Sequence, residues 1–219
     1  MAAALGAFFM FTVMNLFAKL LSVNHSVIEI AFYRNLIASV PFLIAAFAFG
    51  KREILVLRSK PVLVGVRAAI GTLSLVATFA AFSLMPMADT TVLLFTSTLF
   101  VPVLGVIFLG ESVGPYRWAA VAIGFIGVVI MAHPSGQVYA LGIAVALCAA
   151  LLHAILQIIL RYLGRYERPE TIAAYFFIVG TFLCALPLPF IAVRPTLAEV
   201  PLLFGVGLSG AAAQWLLSI

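Results

Sequence analysis

The feature that most constrains the fold is a series of apolar segments too long to be hidden inside a small soluble domain. The clearest runs from Ala88 to Leu109 and carries one charge, Asp89, at its margin. As a helix rising about 1.5 Å per residue, it would cross a bilayer core of about 30 Å. Since 65% of the 219 residues are hydrophobic and only 9% are charged, we expect lipid rather than water to surround most of the surface.

Long apolar runs separated by short polar breaks predict membrane-spanning helices, because the strands of a membrane β-barrel would alternate apolar and polar residues. The predicted spans are 2–21, 27–49, 61–83, 88–109, 116–131, 139–160, 171–193 and 201 onward. The first lacks a basic segment before it, so it is predicted to be a span rather than a cleaved signal peptide. The fold class is therefore an all-α membrane protein, a helical bundle.

Basic residues predict the orientation of these spans. With a cytoplasmic N-terminus, the outer ends hold only Lys19 and Arg194. The inner loops then hold Lys51, Arg52, Arg58, Lys60, Arg117, Arg161, Arg165 and Arg168. Lys and Arg favour the cytoplasmic side, which predicts a multi-pass protein of the inner (plasma) membrane with its N-terminus inside. Glu111 is predicted to pair with Arg117 in a cytoplasmic turn.

An internal repeat is also visible. The third span begins PVLVGV at 61–66 and the eighth begins PLLFGV at 201–206, while the polar pairs of the first and sixth spans share one spacing. This predicts a first repeat over 1–134 (spans 1–5) and an inverted second repeat over 135–219 (spans 6–8). The second would be truncated, lacking the last two of ten spans. Inverted repeats are typical of transporters that hold substrate near the midplane.

Several motifs resemble one known family. They are SLMPMAD at 83–89, LFTS at 94–97, FLGE at 108–111, RW at 117–118, GFIGV at 124–128 and FYRN at 32–35. Together they resemble the EamA domain of the drug/metabolite transporter superfamily, most closely the branch with S-adenosylmethionine and riboflavin uptake carriers. The resemblance covers essentially the whole chain. One departure is Thr98, where such members often carry proline; Pro102 follows instead.

The resemblance implies two inverted five-helix repeats, of which eight helices are present here. It also implies a central cavity that opens alternately to each side, cytoplasmic termini and no ATPase domain.

Ionisable and polar side chains within spans are candidates for the substrate pathway, because burial in lipid is costly unless they are paired or watered. Arg34 could contact an anionic substrate, or could pair with Glu29, a hydroxyl or carbonyl groups. Arg67 could do the same, although extension of its side chain toward the nearer interface is favoured. Asn15 and Lys19 share one face of the first span.

The remaining candidates lie in later spans or are aromatic. His153 and Gln157 share one face of the sixth span; His153 could couple protons, although a packing histidine is favoured. Thr96 and Ser97 could line a path or bond to their own helix. Tyr33, in the second span, and Tyr175 could stack on an aromatic substrate, although packing is the commoner role.

The leading function is a secondary-active transporter of a small amino-acid-, nucleoside- or vitamin-like metabolite by alternating access. The alternative is a non-transporting membrane subunit, such as the partner of a lipid flippase. An enzyme is not predicted, because no nucleophile–base pair or carboxylate pair shares a depth. No cofactor, metal or nucleic acid is expected; the expected partners are a small-molecule substrate and the lipid bilayer. The sequence is compatible with proton coupling and with a homodimer.

Overall fold

The computed structural model describes residues 2–110, 112–131 and 140–218, and in these ranges the regular structure is helical without a strand. The helices are α1 (Ala2–Leu21), α2 (Val27–Phe47), α3 (Pro61–Leu84), α4 (Met87–Phe95), α5 (Ser97–Leu109), α6 (Pro115–Met131), α7 (Ala140–Leu163), α8 (Pro169–Ala185), α9 (Leu188–Ile191) and α10 (Val200–Ser218), with a 3₁₀ turn at Arg52–Leu55. This confirms the predicted all-α class. By length and composition, Val27–Phe47, Pro61–Leu84, Met87–Phe108 and Ala140–Leu163 could each cross a membrane.

The helix ends follow local chemistry. Ser26 precedes α2 with an extended backbone, and its hydroxyl accepts the amide of Glu29 at 3.2 Å. Gly110 follows α5 with a φ of 63°, a left-handed conformation that glycine adopts without strain. The predicted turn residue Glu111 and the predicted repeat boundary at 134/135 lie outside the described residues.

Two predicted spans are interrupted. The fourth was expected to be continuous over 88–109, but it divides into α4 and α5 at Thr96. There the backbone tightens: the amide of Thr96 bonds to Leu93 O at 3.1 Å, and that of Leu99 to Thr96 O at 2.9 Å. Pro102 has no amide hydrogen to bond within α5 and disfavours a regular turn before it. The seventh, expected over 171–193, ends as α8 at Ala185 and resumes as α9 after Pro187.

The chain forms two compact units. Met1–Thr72 and Leu163–Ile219 make one, which we call the terminal unit, and Leu73–Tyr162 make the other, the central unit. Each contains segments from both predicted repeats.

Glycines allow close helix packing in the terminal unit. A methyl group on Gly207 of α10 would come 2.4 Å from Cβ of Ile37 in α2, and one on Gly205 would come 2.7 Å from the ring of Phe17 in α1. Small residues allow membrane helices to approach in this way. Phe42 of α2 and Phe177 of α8 pack beside them, with ring centroids 5.4 Å apart. The helices α1, α2, α8 and α10 therefore form one bundle.

The central unit is packed by similar means. A methyl group on Gly124 of α6 would come 2.6 Å from a Leu99 methyl of α5. Val101 of α5 packs with Ala154 and Ile158 of α7 in a buried cluster.

Candidate functional site

Two arginines are buried together in the terminal unit. Arg34 of α2 and Arg67 of α3 are each only 2% exposed. Their guanidinium carbons lie 5.2 Å and 4.5 Å from the centre of the same Phe176 ring, and that of Arg34 also lies 4.9 Å from the Phe177 ring. The structure thus places two cations on one aromatic residue of α8. It differs from the expectation that Arg67 extends to the membrane interface.

Small residues make the space for this cluster. A methyl group on Gly210 of α10 would come 2.8 Å from Nε of Arg34. One on Gly180 of α8 would come 2.6 Å from Nδ2 of Asn35 and 2.8 Å from Oγ1 of Thr72. Glycine at both positions lets α8 and α10 lie directly against the polar side chains.

Four donor nitrogens of the cluster have no acceptor among the described residues. Nη1 of Arg34 donates to Oδ1 of Asn35 at 2.8 Å. By contrast, Nε of Arg34, Nε and Nη1 of Arg67, and Nδ2 of Asn35 are buried, and no described atom accepts a hydrogen bond from them. The pairing of Arg34 with Glu29 considered from the sequence is not formed, because Glu29 contacts His25 instead.

His25 lies just before the N-terminus of α2, in the loop after α1, and it is 5% exposed. Its Nδ1 lies 3.1 Å from Oε1 of Glu29 in α2, and its Nε2 lies 3.2 Å from Oε2 of Glu199, before α10. Burial opposes protonation of the ring, but the two carboxylates outweigh it and raise the pKa of His25. Glu29 also accepts the amide of Val193 at 3.4 Å. An imidazolium can therefore connect three segments of the terminal unit.

Glu199 is held ionised by its neighbours. Its Oε2 accepts the backbone amide of Thr196 at 2.8 Å and the hydroxyl of Thr196 at 2.7 Å, and its Oε1 accepts Nδ2 of Asn24 at 2.8 Å. Together with His25 these partners lower the pKa of Glu199 to about 2. The described residues hold no group of three or more His, Cys, Asp or Glu side chains able to bind a metal ion.

A second acidic residue links two loops of the terminal unit. Glu167, before α8, is 4% exposed. Its carboxylate accepts the backbone amides of Arg58, Ser59 and Lys60 at 2.8–3.1 Å, just before α3. Burial raises the pKa of Glu167, but these amides lower it overall.

A cavity of about 950 Å³ opens in the terminal unit beside Lys51, Glu53 and Arg168. None of the residues predicted for the substrate pathway lines it. Its wall includes Phe42, whose ring packs on Phe177, the residue beneath Arg34. The rings of Phe42 and Phe177 therefore connect the wall of this cavity to the arginine cluster.

The other predicted residues of the terminal unit are more dispersed. The Tyr175 hydroxyl donates to Leu55 O at 3.1 Å, which fixes the 3₁₀ turn. Tyr33 is half-buried, with its ring edge-on to Phe32 at 5.3 Å. Asn15 and Lys19 are half-buried on α1, and Oδ1 of Asn15 is a buried acceptor without a partner in the described residues.

The predicted residues of the central unit lie on α7 and around the α4–α5 break. Thr96 and Ser97 are buried, and the Thr96 hydroxyl has no hydrogen-bond partner in the described residues. His153 is half-buried and Gln157 is exposed.

Sequence reasoning missed two features of the terminal unit. It identified Arg34 and Arg67 but not Phe176, the ring that joins them. It also gave no role to His25, which falls in the short break between the spans predicted at 2–21 and 27–49. The His–x–x–x–Glu spacing of His25 and Glu29 was a usable signal, because residues four apart meet on a helical turn.

The chain resembles curated transporters. It is 33% identical to a riboflavin transporter of Rhizobium johnstonii over 70% of this chain and 51% of that protein. It is 29% identical to a pseudopaline exporter of Pseudomonas aeruginosa over 92% and 70%. It is 27% identical to an S-adenosylmethionine uptake transporter of Rickettsia bellii over 86% and 64%. The match thus spans about half the length of the riboflavin transporter.

Comparison with solved structures supports the fold alone. One crystal structure matches with a TM-score of 0.68 and 19% identity over 98% of this chain and 78% of its own. At the level of sequence, the model of the EamA-like transporter family matches residues 1–132. That range covers more than half of the chain and contains the motifs from SLMPMAD to GFIGV. The chain therefore belongs to the EamA-like transporter family.

Proposed function

We propose that the protein is a secondary-active carrier that moves a small metabolite across the inner membrane by alternating access, with its N-terminus in the cytoplasm. The observation that carries this proposal is a polar cluster buried among apolar helices of a family whose curated relatives are named as transporters. Burying polar side chains within a membrane costs free energy, and a protein with a purely structural role there would have no use for the buried Arg34, Asn35 and Arg67.

The two predicted inverted repeats support the same mechanism. Such repeats let one half of a carrier rock against the other around a central site. The α4–α5 break at Thr96 interrupts a predicted span and places a buried hydroxyl without a described partner there, and interrupted helices are common in carriers. Thr96, Ser97, His153 and Gln157 remain candidates for the pathway.

Flux through the full-length protein in proteoliposomes tests the proposal. Riboflavin and S-adenosylmethionine, which two relatives are named for, are the first labelled solutes to try. We expect saturable uptake that exceeds that of empty vesicles, and a proton-coupled carrier would respond to an imposed pH gradient. His153→Gln should remove that response if His153 couples protons, whereas an exposed control, Arg117→Gln, should not. Absence of saturable flux across a broad metabolite panel would contradict carrier function.

A further inference from the structure

We propose that Arg34 and Arg67 form an anion site that takes the carboxylate or phosphate group of a small organic molecule. That this molecule is the transported solute rests on the proposed carrier function. The existence of the site rests only on the geometry of the terminal unit.

The first support is uncompensated charge. No described carboxylate lies within ion-pair distance of Arg34 or Arg67. Four acidic residues of the same unit have other partners. Glu29 contacts His25, and Glu53 contacts Arg168. Glu167 accepts three backbone amides, and Glu199 contacts Asn24, His25 and Thr196. Arginine stays protonated even when buried. Two fixed positive charges therefore share one buried cluster.

The second support is the set of buried hydrogen-bond donors that have no acceptor. A guanidinium has five N–H donors and no acceptor. In this cluster Nε of Arg34, Nε and Nη1 of Arg67, and Nδ2 of Asn35 are buried without an acceptor. A partner must therefore supply acceptors, and carboxylate and phosphate oxygens match guanidinium geometry well. Water could accept the hydrogen bonds but would leave the net charge uncompensated.

The aromatic contacts do not remove the need for an anion. Phe176 lies against both guanidiniums and Phe177 against that of Arg34. Cation–π attraction offsets only part of the cost of taking a charge out of water. The ring centres do, however, lie within 5.2 Å of the guanidinium carbons that they contact.

A carboxylate built into the protein tests whether the cluster lacks an anion. A methyl group on Gly210 would lie 2.8 Å from Nε of Arg34 and 3.1 Å from Sδ of Met14, so a side chain at position 14 can reach the arginine. Met14→Glu should unfold at a higher temperature than Met14→Gln, its matched neutral control, in detergent at neutral pH. The reverse order, with Met14→Glu less stable than Met14→Gln, would overturn the proposal.

Binding to the unmodified full-length protein is the second test and does not depend on those variants. The probes are sodium benzoate and inorganic phosphate, with benzamide as the neutral match to benzoate, measured by thermal shift and calorimetry. We expect at least one anion to bind, and Arg34→Gln or Arg67→Gln to weaken it about tenfold or more, since hydrogen bonds to charged groups are strong. The exposed control Arg117→Gln should bind normally. Failure of both anions to bind, or equal weakening by all three substitutions, contradicts the site.

Flux measurements separate this proposal from carrier function. Arginine-dependent anion binding without flux of any solute would leave the anion site standing and remove the carrier function. Saturable flux of neutral or cationic solutes that is unchanged in Arg34→Gln and Arg67→Gln, together with failure of both anions to bind, would leave the carrier function standing and overturn the anion site.

Discussion

The contacts of His25 predict a pH-dependent stability that one substitution should abolish. His25→Gln keeps a polar side chain of similar reach but removes the imidazolium between Glu29 and Glu199. The His25 and Glu29 side chains are each 1% exposed and lie 3.1 Å apart. Removing one partner of a buried ion pair costs about 3–5 kcal/mol. Because the third member, Glu199, reaches solvent, we expect a loss of about 3 kcal/mol, at the lower end of this range.

The pKa of His25 gives the sign of the effect. It is raised in the folded protein above its ordinary value of 6.5. The charged pair therefore contributes fully below about pH 6.5 and is lost as pH rises through the raised pKa. The pKa of Glu199 is about 2, so that carboxylate stays ionised from pH 6 to pH 9. The unfolding free energy of the unmodified protein should exceed that of His25→Gln most at pH 6 and much less at pH 9.

The assay is reversible unfolding in detergent at pH 6 and pH 9. A double-mutant cycle with Glu29→Gln isolates the pair, because contacting residues show coupling energies that independent sites lack. We expect clear coupling at pH 6 and little at pH 9. A loss for His25→Gln that is equal at the two pH values would show that folding does not raise the pKa of this ring, and would refute this reasoning.

Three further substitutions test the packing of the terminal unit by thermal unfolding. Glu167→Gln removes a carboxylate from three backbone amides and should lower the unfolding free energy by about 1–3 kcal/mol. The lowered pKa of Glu167 predicts that this contribution is present above pH 4.5 and lost in acid; equal stability of the variant and the unmodified protein at pH 7 would contradict it. Gly207→Ala places a methyl group against Ile37 and should lower the unfolding free energy by about 1–3 kcal/mol. The control Gly65→Ala, whose added methyl group meets nothing within 4 Å, should leave stability unchanged, and equal effects of the two substitutions would refute the helix-contact explanation. Tyr175→Phe should cost about 1 kcal/mol through one lost hydrogen bond and leave solute affinity unchanged, so a specific loss of affinity would restore the stacking role considered for this ring.

Much of the secondary structure was predictable because it depends on local composition. The bounds expected for the first and third spans agree with α1 and α3 to within one residue. The interruption at Thr96 was not located, because neither Thr96 nor its two neighbours in the chain is a glycine or a proline. The repeat relationship and the chain orientation remain predictions.

The contacts of the polar residues were harder to predict from the sequence. From sequence, Arg34 and Arg67 were separate candidates on different spans, and Tyr175 was a candidate for stacking. The Tyr175 hydroxyl instead donates a hydrogen bond to the 3₁₀ turn, and the ring of its neighbour Phe176 contacts both arginines. A rotation of α8 by one residue would reverse these roles, and no local pattern in an almost uniformly apolar helix fixes that rotation.

By itself, the sequence determined the helical membrane class and the family, because apolar length and short motifs are properties of the chain alone. Only the tertiary structure decided which polar groups meet. Close contacts at Gly180, Gly207 and Gly210 set the depth and rotation of α8 and α10. That packing brings Arg34 and Arg67 to one ring and directs Glu29 to His25. Contacts between helices distant in sequence are set by side-chain volume and shape at each interface, which hydrophobic periodicity does not encode.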